Sequence, residues 1–188
     1  MARIVFLNGA SSAGKTTIGK AVQELADDPF LLLGLDTCFA MVPPKWGGGR
    51  GGPLSRDGFA YRELPEDDGH PMLAITYGDV GRRMLAGFRR AVVELARAGN
   101  PVIVDEVLLD DRARDDWLDV LTPWQPLLVG VYCSDEELVR RERARGNRPG
   151  LALWSARHAH AGMTYHLRLD TTKAEPARHA AQILAALP

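Results

Sequence analysis

The segment Gly9-Ala10-Ser11-Ser12-Ala13-Gly14-Lys15-Thr16 decides how the rest of this chain is interpreted. It follows an apolar run at residues 4–7 and precedes residues 17–25, whose apolar positions recur at helical spacing. The segment matches the pattern G-x-x-x-x-G-K-[ST] in its expected setting of strand, glycine-rich turn and helix. The alternative, a glycine turn before a helix with an exposed lysine, would leave this match to coincidence. We therefore predict a binding site for the phosphates of a nucleoside triphosphate.

Each residue type in this segment has a physical reason to be there. Gly9 and Gly14 permit backbone conformations and close approaches that a Cβ atom would block. The loop amides and the first helical turn point N–H donors at one anion, and the helix dipole adds positive potential. Lys15 can neutralise the β- and γ-phosphates, and the Thr16 hydroxyl can ligate Mg²⁺. The predicted nucleotide contacts of this segment are Gly9, Ala10, Ser11, Ser12, Ala13, Gly14, Lys15, Thr16 and Thr17.

Length and composition favour one globular domain over residues 1–188, because 46% of the residues are apolar and 25% are charged. The net charge of −1 gives no reason to expect nucleic-acid or membrane partners. No apolar run is long enough to span a membrane, and no signal peptide precedes the first strand. Cys38 and Cys133 lack metal-ligand spacing, which favours buried thiols in a reducing compartment. We therefore expect a cytoplasmic protein, with the possibility of a homo-oligomer left open.

Short apolar runs alternate along the chain with stretches of helical periodicity. This alternation predicts an α/β fold with a parallel sheet, whose strands are covered on both faces. About five strands are expected, at residues 4–7, 30–35, 101–106, 127–133 and 166–169. Helices are expected from residue 17 to about residue 27, at 74–98 and 111–121, from residue 134, and at 151–159 and 175–187.

Two of the predicted strands end in carboxylates. Asp36 follows the apolar run at residues 30–35, and Asp105 closes the run at 101–106. Because ligands of open α/β sheets sit beyond the carboxyl ends of the strands, both side chains are expected near the glycine-rich loop. Asp105 fits the Walker B position, where a carboxylate holds Mg²⁺ together with Thr16. Asp36 is a candidate for contact with the reacting molecule, and an N-cap on residues 38–41 is its alternative role.

Residues 42–73 interrupt the alternation with a stretch rich in proline and glycine. A connection of this length is functional or disordered. We expect an insertion that forms one side of the binding pocket for a phosphate acceptor. Residues 59–64 alternate and predict one strand of a small hairpin with its turn at 65–69. Trp46, Phe59 and Tyr61 are candidate apolar contacts to the acceptor, and their alternative role is to anchor the loop.

Arginines concentrate at residues 140–148, directly after a helix start that Ser134 can cap. RNA binding is disfavoured because the net charge is not basic and no aromatic platform interleaves the arginines. We predict a kinase-type lid over residues 140–150, in which Arg141 and Arg145 stabilise the transferring phosphoryl group. A solvated arginine face is the alternative. Asp170, Thr171 and Thr172 follow the last strand and are expected either near the nucleotide base or at the entry of the last helix.

With these motifs placed, the sequence resembles the chloramphenicol phosphotransferase family of P-loop kinases over nearly its whole length. The resemblance rests on residues 7–15, 34–37, 96–99, 102–107, 129–133, 144–146, 160–162, 165 and 169–172. It implies a three-layer, nucleotide-kinase-like P-loop NTPase fold, and ATP- and Mg²⁺-dependent phosphorylation of a primary hydroxyl on a small antibiotic. Asp36 matches the family's proposed general base. Glu106, also expected at the acceptor, stands where the family often has a second aspartate, and the loop at residues 47–53 differs from the family pattern.

The sequence therefore predicts a small-molecule O-phosphotransferase in which Asp36, Lys15, Arg141 and Arg145 carry the chemistry. A kinase for a nucleoside, sugar or shikimate-like alcohol is the first alternative. Such an acceptor, if charged, would call for acidic and arginine anchors, whereas residues 42–73 are rich in proline, glycine and aromatic residues. A nucleotide-dependent switch or ATPase without a small acceptor is the second alternative, and it predicts appreciable ATP hydrolysis by the protein alone.

Overall fold

The computed structural model describes residues 3–47, 51–146 and 149–187. Within these residues, five parallel strands form a central sheet in the order β2-β5-β1-β6-β7, and β3 and β4 form a separate antiparallel hairpin. The strands are β1 (Ile4–Gly9), β2 (Leu31–Gly34), β3 (Phe59–Asp67), β4 (His70–Tyr77), β5 (Val102–Glu106), β6 (Leu127–Tyr132) and β7 (Leu167–Asp170). The predicted parallel sheet is confirmed.

Helices cover both faces of this sheet, which gives the predicted three layers. They are α1 (Lys15–Leu25), α2 (Leu35–Met41), α3 (Asp79–Arg97), α4 (Asp111–Leu121), α5 (Asp135–Arg145), α6 (Leu151–His158) and α7 (Pro176–Ala185). Short 3₁₀ turns lie at Pro44–Trp46 and Thr122–Trp124. No helix of the described residues combines the length and the apolar character needed to cross a bilayer.

Alternate side chains of each central strand enter two separate hydrophobic cores, because successive residues of a strand face opposite sides of the sheet. On β1, Ile4 and Phe6 join the core that α3, α4 and the hairpin cover, where Trp117 is fully buried. Val5 and Leu7 join the second core, which contains Ile183 of α7 and residues of α1. This packing fixes β1 in the middle of the sheet, and the loop that follows it therefore opens at the carboxyl edge.

One predicted helix begins later than expected. We expected a helix from residue 74, but residues 70–77 form β4 and α3 starts at Asp79. The segment pairs with β3, for example Ile75 with Tyr61, so a β ladder replaces the helical periodicity. The backbone of Gly78 is extended, and the helix starts immediately after it.

Asp36 also sits in a different local structure from the one expected. It lies in the first turn of α2 rather than in a loop after the strand, and the N-cap of this helix is Gly34. The N-cap role considered for Asp36 is therefore wrong. The Thr37 hydroxyl lies 3.3 Å from the Gly34 amide, from which it accepts a hydrogen bond, so the carboxylate of Asp36 is not used to start the helix.

Candidate active site

A cavity of about 250 Å³ opens at the carboxyl ends of β1, β2 and β5. The glycine-rich loop forms one side of it, and the start of α2 forms another. Its polar lining includes Ser11, Ser12, Lys15, Thr16, Asp36, Thr37, Asp105 and Arg145, and its apolar lining includes Leu33, Phe39, Ile75, Val107 and Leu151. The structure thus brings the predicted phosphate loop, the Walker B carboxylate and Asp36 to one cavity.

The loop owes its shape to two glycines that act for different reasons. Gly14 has a φ of 91°, in the left-handed region that a side chain rarely adopts, and it is the N-cap of α1. Gly9 lies so close to β6 that an added Cβ would stand 2.2 Å from the carbonyl oxygen of Val131. Ala10 and Ala13 are buried and contribute backbone groups to the loop.

Lys15, Thr16 and Asp105 form a cluster at the start of α1. The Thr16 hydroxyl donates to Asp105 Oδ2 at 2.5 Å, and Lys15 Nζ lies 3.6 Å from Asp105 Oδ1. Lys15 also donates to the carbonyl oxygen of Ala10 at 2.8 Å and is only 5% exposed. A hydroxyl beside a carboxylate is the kind of oxygen donor set that Mg²⁺ takes together with phosphate oxygens, so these residues fit that ion.

The part of the cavity around Asp36 is apolar. Phe39, Ile75, Val107 and Leu151 line it, and they come from α2, β4, the segment after β5 and α6. Asp36 is exposed, and it lines the same cavity as these apolar side chains. A small apolar molecule with one hydroxyl group near Asp36 therefore matches the lining of the cavity.

The three aromatic residues predicted to contact the acceptor, Trp46, Phe59 and Tyr61, do not line this cavity. Phe59 is 2% exposed and packs edge-on against Phe39, with ring centroids 4.7 Å apart, so it supports the cavity wall from behind. Trp46 packs on the same core and does not line the cavity. The alternative considered for these residues, that they anchor the loop, matches their positions. The hairpin reaches the cavity instead through Ile75 of β4, which follows the predicted insertion, and residues 48–50 lie outside the described part of the chain.

Glu106 is likewise buried behind the cavity instead of facing an acceptor. Its carboxylate accepts hydrogen bonds from Trp117 Nε1 at 2.7 Å and from the Val107 amide at 2.9 Å. Burial raises the pKa of Glu106 to about 7, against the lowering effect of these hydrogen bonds. Its side chain therefore positions Val107, which lines the cavity, and we correct its predicted role to a supporting one.

A second cavity, of about 330 Å³, lies on the other side of the glycine-rich loop. It shares Ser12, Gly14 and Arg145 with the first cavity, so the loop stands between the two. The remaining lining includes Thr17, Ile18, Glu137, Arg140, Arg141, Ala144, Thr171, Ala174, Pro176 and His179. This arrangement suits a nucleotide whose base occupies the second cavity and whose phosphates cross the loop towards Asp36.

Arg141 contacts the glycine-rich loop and does not line the first cavity. Its guanidinium donates to Glu137 Oε1 at 2.7 Å and to the carbonyl oxygen of Thr171 at 2.5 Å. It also lies 3.5 Å from the carbonyl oxygen of Ser12. Because Arg140 and Arg141 both donate to Glu137, they lower the pKa of that carboxyl to about 2. Arg141 is thus held beside the nucleotide side of the loop.

Arg145 differs from Arg141 because it lines both cavities. It is the last residue of α5, its side chain is exposed, and it projects where the two cavities meet. Of the predicted lid arginines in the described residues, Arg145 is therefore the one placed to reach a phosphate between the cavities. Arg148, also part of the predicted lid, lies outside the described residues.

Residues 170–172, which were expected either near the nucleotide base or at the entry of the last helix, lie in different environments. Thr171 is buried, and its hydroxyl donates to the carbonyl oxygen of Ala13 at 2.7 Å, so it braces the loop. Asp170 is exposed and accepts from the Thr172 amide at 2.9 Å, while the Thr172 hydroxyl accepts from the Ser134 amide. Asp170 and Thr172 line neither of the two cavities.

Some residues that shape the site were assigned no individual role from the sequence. Ser155 of α6 is 1% exposed, and its hydroxyl accepts a hydrogen bond from the Ser11 amide at 2.9 Å. Asn8 is fully buried and donates to the carbonyl oxygen of Ala159 and to the Tyr165 hydroxyl, each at 2.6 Å. These contacts tie the loop to α6 and the following segment, which are distant in sequence.

Comparisons with known proteins agree with this geometry. Residues 2–188 match the family described as chloramphenicol phosphotransferase-like protein. A protein of Mycobacterium tuberculosis named "Putative O-phosphotransferase" is 35% identical over 174 residues, which cover 90% of this chain and 75% of that protein. Among solved structures, the M. tuberculosis APS kinase in complex with AMPPNP and APS has a TM-score of 0.65 at 14% identity, covering 98% of this chain and 96% of that one.

Two further solved structures share the fold. A sugar kinase from Janibacter sp. HTCC2649 has a TM-score of 0.62 at 17% identity, covering 98% of this chain and 94% of that one. A gluconokinase from Sinorhizobium meliloti 1021 has a TM-score of 0.57 at 20% identity, covering 98% of this chain and 91% of that one. The fold is that of P-loop kinases, and this chain is a phosphotransferase that belongs to the chloramphenicol phosphotransferase-like family.

Proposed function

We propose that this chain transfers the γ-phosphoryl group of ATP to a hydroxyl group of a small, uncharged and largely apolar molecule, with chloramphenicol or a related antibiotic as the acceptor. One observation carries this proposal: Asp36, the glycine-rich loop and an apolar wall line the same cavity. The family description and the relatives named O-phosphotransferase support the same reaction class. Residues 1–188 would act as one kinase domain, with an acceptor-side insertion at 42–73 and a lid at 140–150.

In the proposed reaction, the acceptor hydroxyl oxygen attacks the γ-phosphorus and the bond to the bridging oxygen of ADP breaks. Asp36 orients the hydroxyl group and takes its proton. Lys15 and Arg145 offset negative charge on the transferring group, and Arg141 holds the nucleotide side of the loop. Thr16 and Asp105 would hold Mg²⁺, which when bound supplies positive charge beside the phosphates. Most of the rate enhancement would come from positioning and electrostatics, because phosphoryl transfer needs little covalent work from the protein.

The acceptor class follows from the side chains around Asp36. Phe39, Ile75, Val107 and Leu151 offer apolar contact and no charge, whereas a carboxylated acceptor would need a cation near that wall. Arg145 also lines the cavity, but we assign it to the transferring phosphoryl group and not to a carboxylate of the acceptor. A metabolite kinase for a neutral alcohol stays as the second candidate, since the fold is shared with a sugar kinase.

An acceptor panel tests this proposal. ADP release would be measured with ATP and Mg²⁺ in the presence of chloramphenicol, a neutral sugar, shikimate or gluconate. We expect stimulation by chloramphenicol and little by the two carboxylates. Stimulation by a carboxylate alone would overturn the acceptor class, and ADP release that no acceptor changes would favour an ATPase.

A further inference from the structure

A positively charged groove lies between α3 and α4, outside the two cavities described above. It has a volume of about 320 Å³ and is lined by Arg82, Arg83, Arg89, Arg90 and Arg112, together with Asp116 and Asp119. The residues of this groove take no part in the proposed phosphoryl transfer. From the sequence, the arginines of α3 are interpreted as mostly the solvated face of the helix, whereas Arg89 is 4% exposed.

Helical spacing explains why these side chains converge. On α3, the pair Arg82 and Arg83 lies about two turns from the pair Arg89 and Arg90. The four side chains therefore share one face, with Ala86 between the pairs. On α4, Arg112 and Asp116 are one turn apart on the facing side. The small side chain of Ala86 leaves room between the arginine pairs, which opens the groove.

The groove carries more positive than negative charge. Five arginines and two aspartates line it, a difference of +3, although the whole chain has a net charge of −1. Arg89 pairs with Asp116 at 2.9 Å, and Arg82 pairs with Asp79 at the start of α3. Among the described residues, no ion pair joins Arg83, Arg90 or Arg112 to a carboxylate within 4.0 Å.

Arg89 gives the groove a fixed, desolvated cation. The residue is 4% exposed, and its guanidinium lies 5.7 Å from the centre of the Trp117 ring. Its Nη1 donates to Asp116, whereas its Nε is buried and has no hydrogen-bond partner among the described residues. Buried donors without a partner are uncommon and unfavourable, and this one belongs to a residue that lines the groove.

We propose that this groove binds a polyphosphate chain at a site separate from the glycine-rich loop. Guanidinium groups bind phosphate oxygens through paired, charge-assisted hydrogen bonds. Residues 82 and 90 are eight positions apart, which corresponds to roughly 12 Å along a helix, so the cations extend over more than one phosphate group. Inorganic polyphosphates and the phosphate chains of nucleotides share this chemistry. The inference is independent of the identity of the phosphate acceptor.

Calorimetric titration with inorganic triphosphate tests the proposal. The titration would use a Lys15→Ala background, in which the loop has lost its phosphate-binding lysine. We expect this variant to retain one binding site, and we expect Arg90→Ala or Arg112→Ala to weaken that site by about tenfold each. Both residues are exposed, so these substitutions leave the fold intact. Arg97→Ala removes an exposed arginine at the other end of α3 and serves as the charge-matched control, with unchanged affinity.

Loss of all triphosphate binding in Lys15→Ala would overturn the proposal, as would equal weakening by Arg97→Ala. Parallel titrations with ADP distinguish the two sources of the phosphate chain. Equal affinity for ADP and triphosphate would show that the groove recognises the phosphate chain alone. Tighter binding of ADP would show that the ligand of the groove is a nucleotide. Binding of a single-stranded oligonucleotide without binding of triphosphate would instead indicate a nucleic-acid surface and contradict the proposal.

Discussion

Asp36 is the residue on which the proposed reaction depends most. It is exposed at the start of α2, and it shares a cavity with Lys15 and Thr16 of the glycine-rich loop. No hydrogen bond fixes the Asp36 side chain to another of the described residues, so its carboxylate is available to an incoming hydroxyl group. A carboxylate in this position can orient the hydroxyl and accept its proton, but it has no direct part in holding ATP.

We expect Asp36→Asn to lower kcat by about 100-fold or more, because the amide cannot accept the proton as the carboxylate does. The affinity for ATP is expected to stay within about twofold of the wild type, since the loop contacts are unchanged. Steady-state kinetics with an active acceptor and equilibrium ATP binding would be compared. Asp27→Asn, at an exposed position outside the cavity, is the control. Wild-type turnover by Asp36→Asn would remove this residue from the reaction.

Arg145 and Arg143 provide a matched pair of arginines on α5. Arg145 lines both cavities and Arg143 lines neither, although both side chains are exposed in the last turn of the helix. We expect Arg145→Ala to lower kcat by at least about tenfold, because it removes positive charge from the developing phosphoryl transition state. Arg143→Ala is expected to have near-wild-type kinetics. Equal effects of the two substitutions would indicate that only the general charge of the helix matters.

Helix α6 connects α5 to the glycine-rich loop. The buried carboxylate of Glu142 accepts hydrogen bonds from the Gly150 and Ala152 amides, each at 2.7 Å, and so caps the first turn of α6. One turn further on, Ser155 accepts from the Ser11 amide. The order of the loop therefore depends on a contact from α5 that lies outside both cavities.

Glu142→Ala is expected to reduce the free energy of unfolding by about 2 kcal/mol, because two helix-terminal N–H groups lose their buried acceptor. Urea unfolding followed by circular dichroism would measure this loss. Glu24→Ala, at an exposed position on α1, is expected to change stability by less than about 0.5 kcal/mol. If both variants unfold at the same urea concentration, Glu142 is not a significant cap.

At the scale of the whole molecule, His160 links stability to pH. Its ring stacks on Tyr132 with centroids 4.0 Å apart, and its Nδ1 lies 2.8 Å from the Tyr165 hydroxyl. Burial lowers the pKa of His160 to about 4, and the charge of Lys15 adds to this effect. The folded protein therefore keeps this ring neutral at pH values where the unfolded chain binds a proton.

Because the folded pKa lies below the unfolded value of about 6.5, this group makes the protein lose stability as pH falls from about 6.5 to 4. The contribution to the slope is at most about 1.4 kcal/mol per pH unit, the effect of one proton. His160→Gln, which does not titrate, is expected to show a shallower decline than the wild type in urea unfolding across this range. Parallel declines would show that His160 does not titrate differently in the two states.

The central sheet could be predicted from the sequence because each of its strands is a short apolar run between turn residues. The glycine-rich loop, Asp105 and Asp36 could also be located, since their spacing follows from the strand ends. The start of α3 could not, because Ile75 fits both helical and strand periodicity and its strand partner β3 decides between them. Phe59 was assigned to the acceptor from residue type and Glu106 with the family resemblance, whereas packing against Phe39 and Trp117 buries them.

The apolar wall of the first cavity was the least predictable part of the candidate site. Phe39, Ile75, Val107 and Leu151 come from four separate segments, and none of them belongs to a motif. Ser155 is similar, because its contact with Ser11 joins residues 144 positions apart. Such contacts depend on tertiary packing that no local pattern encodes.

The most direct measurement is the mass of chloramphenicol after incubation with ATP, Mg²⁺ and either the wild type or Asp36→Asn, with ADP measured in the same samples. We expect the wild type to produce a species heavier by one phosphoryl group, with one ADP formed per product, and Asp36→Asn to produce it at least about 100-fold more slowly. ADP formed by the wild type at the same rate with and without chloramphenicol or any other hydroxyl compound, and without a phosphorylated product, would contradict phosphoryl transfer to a small-molecule acceptor.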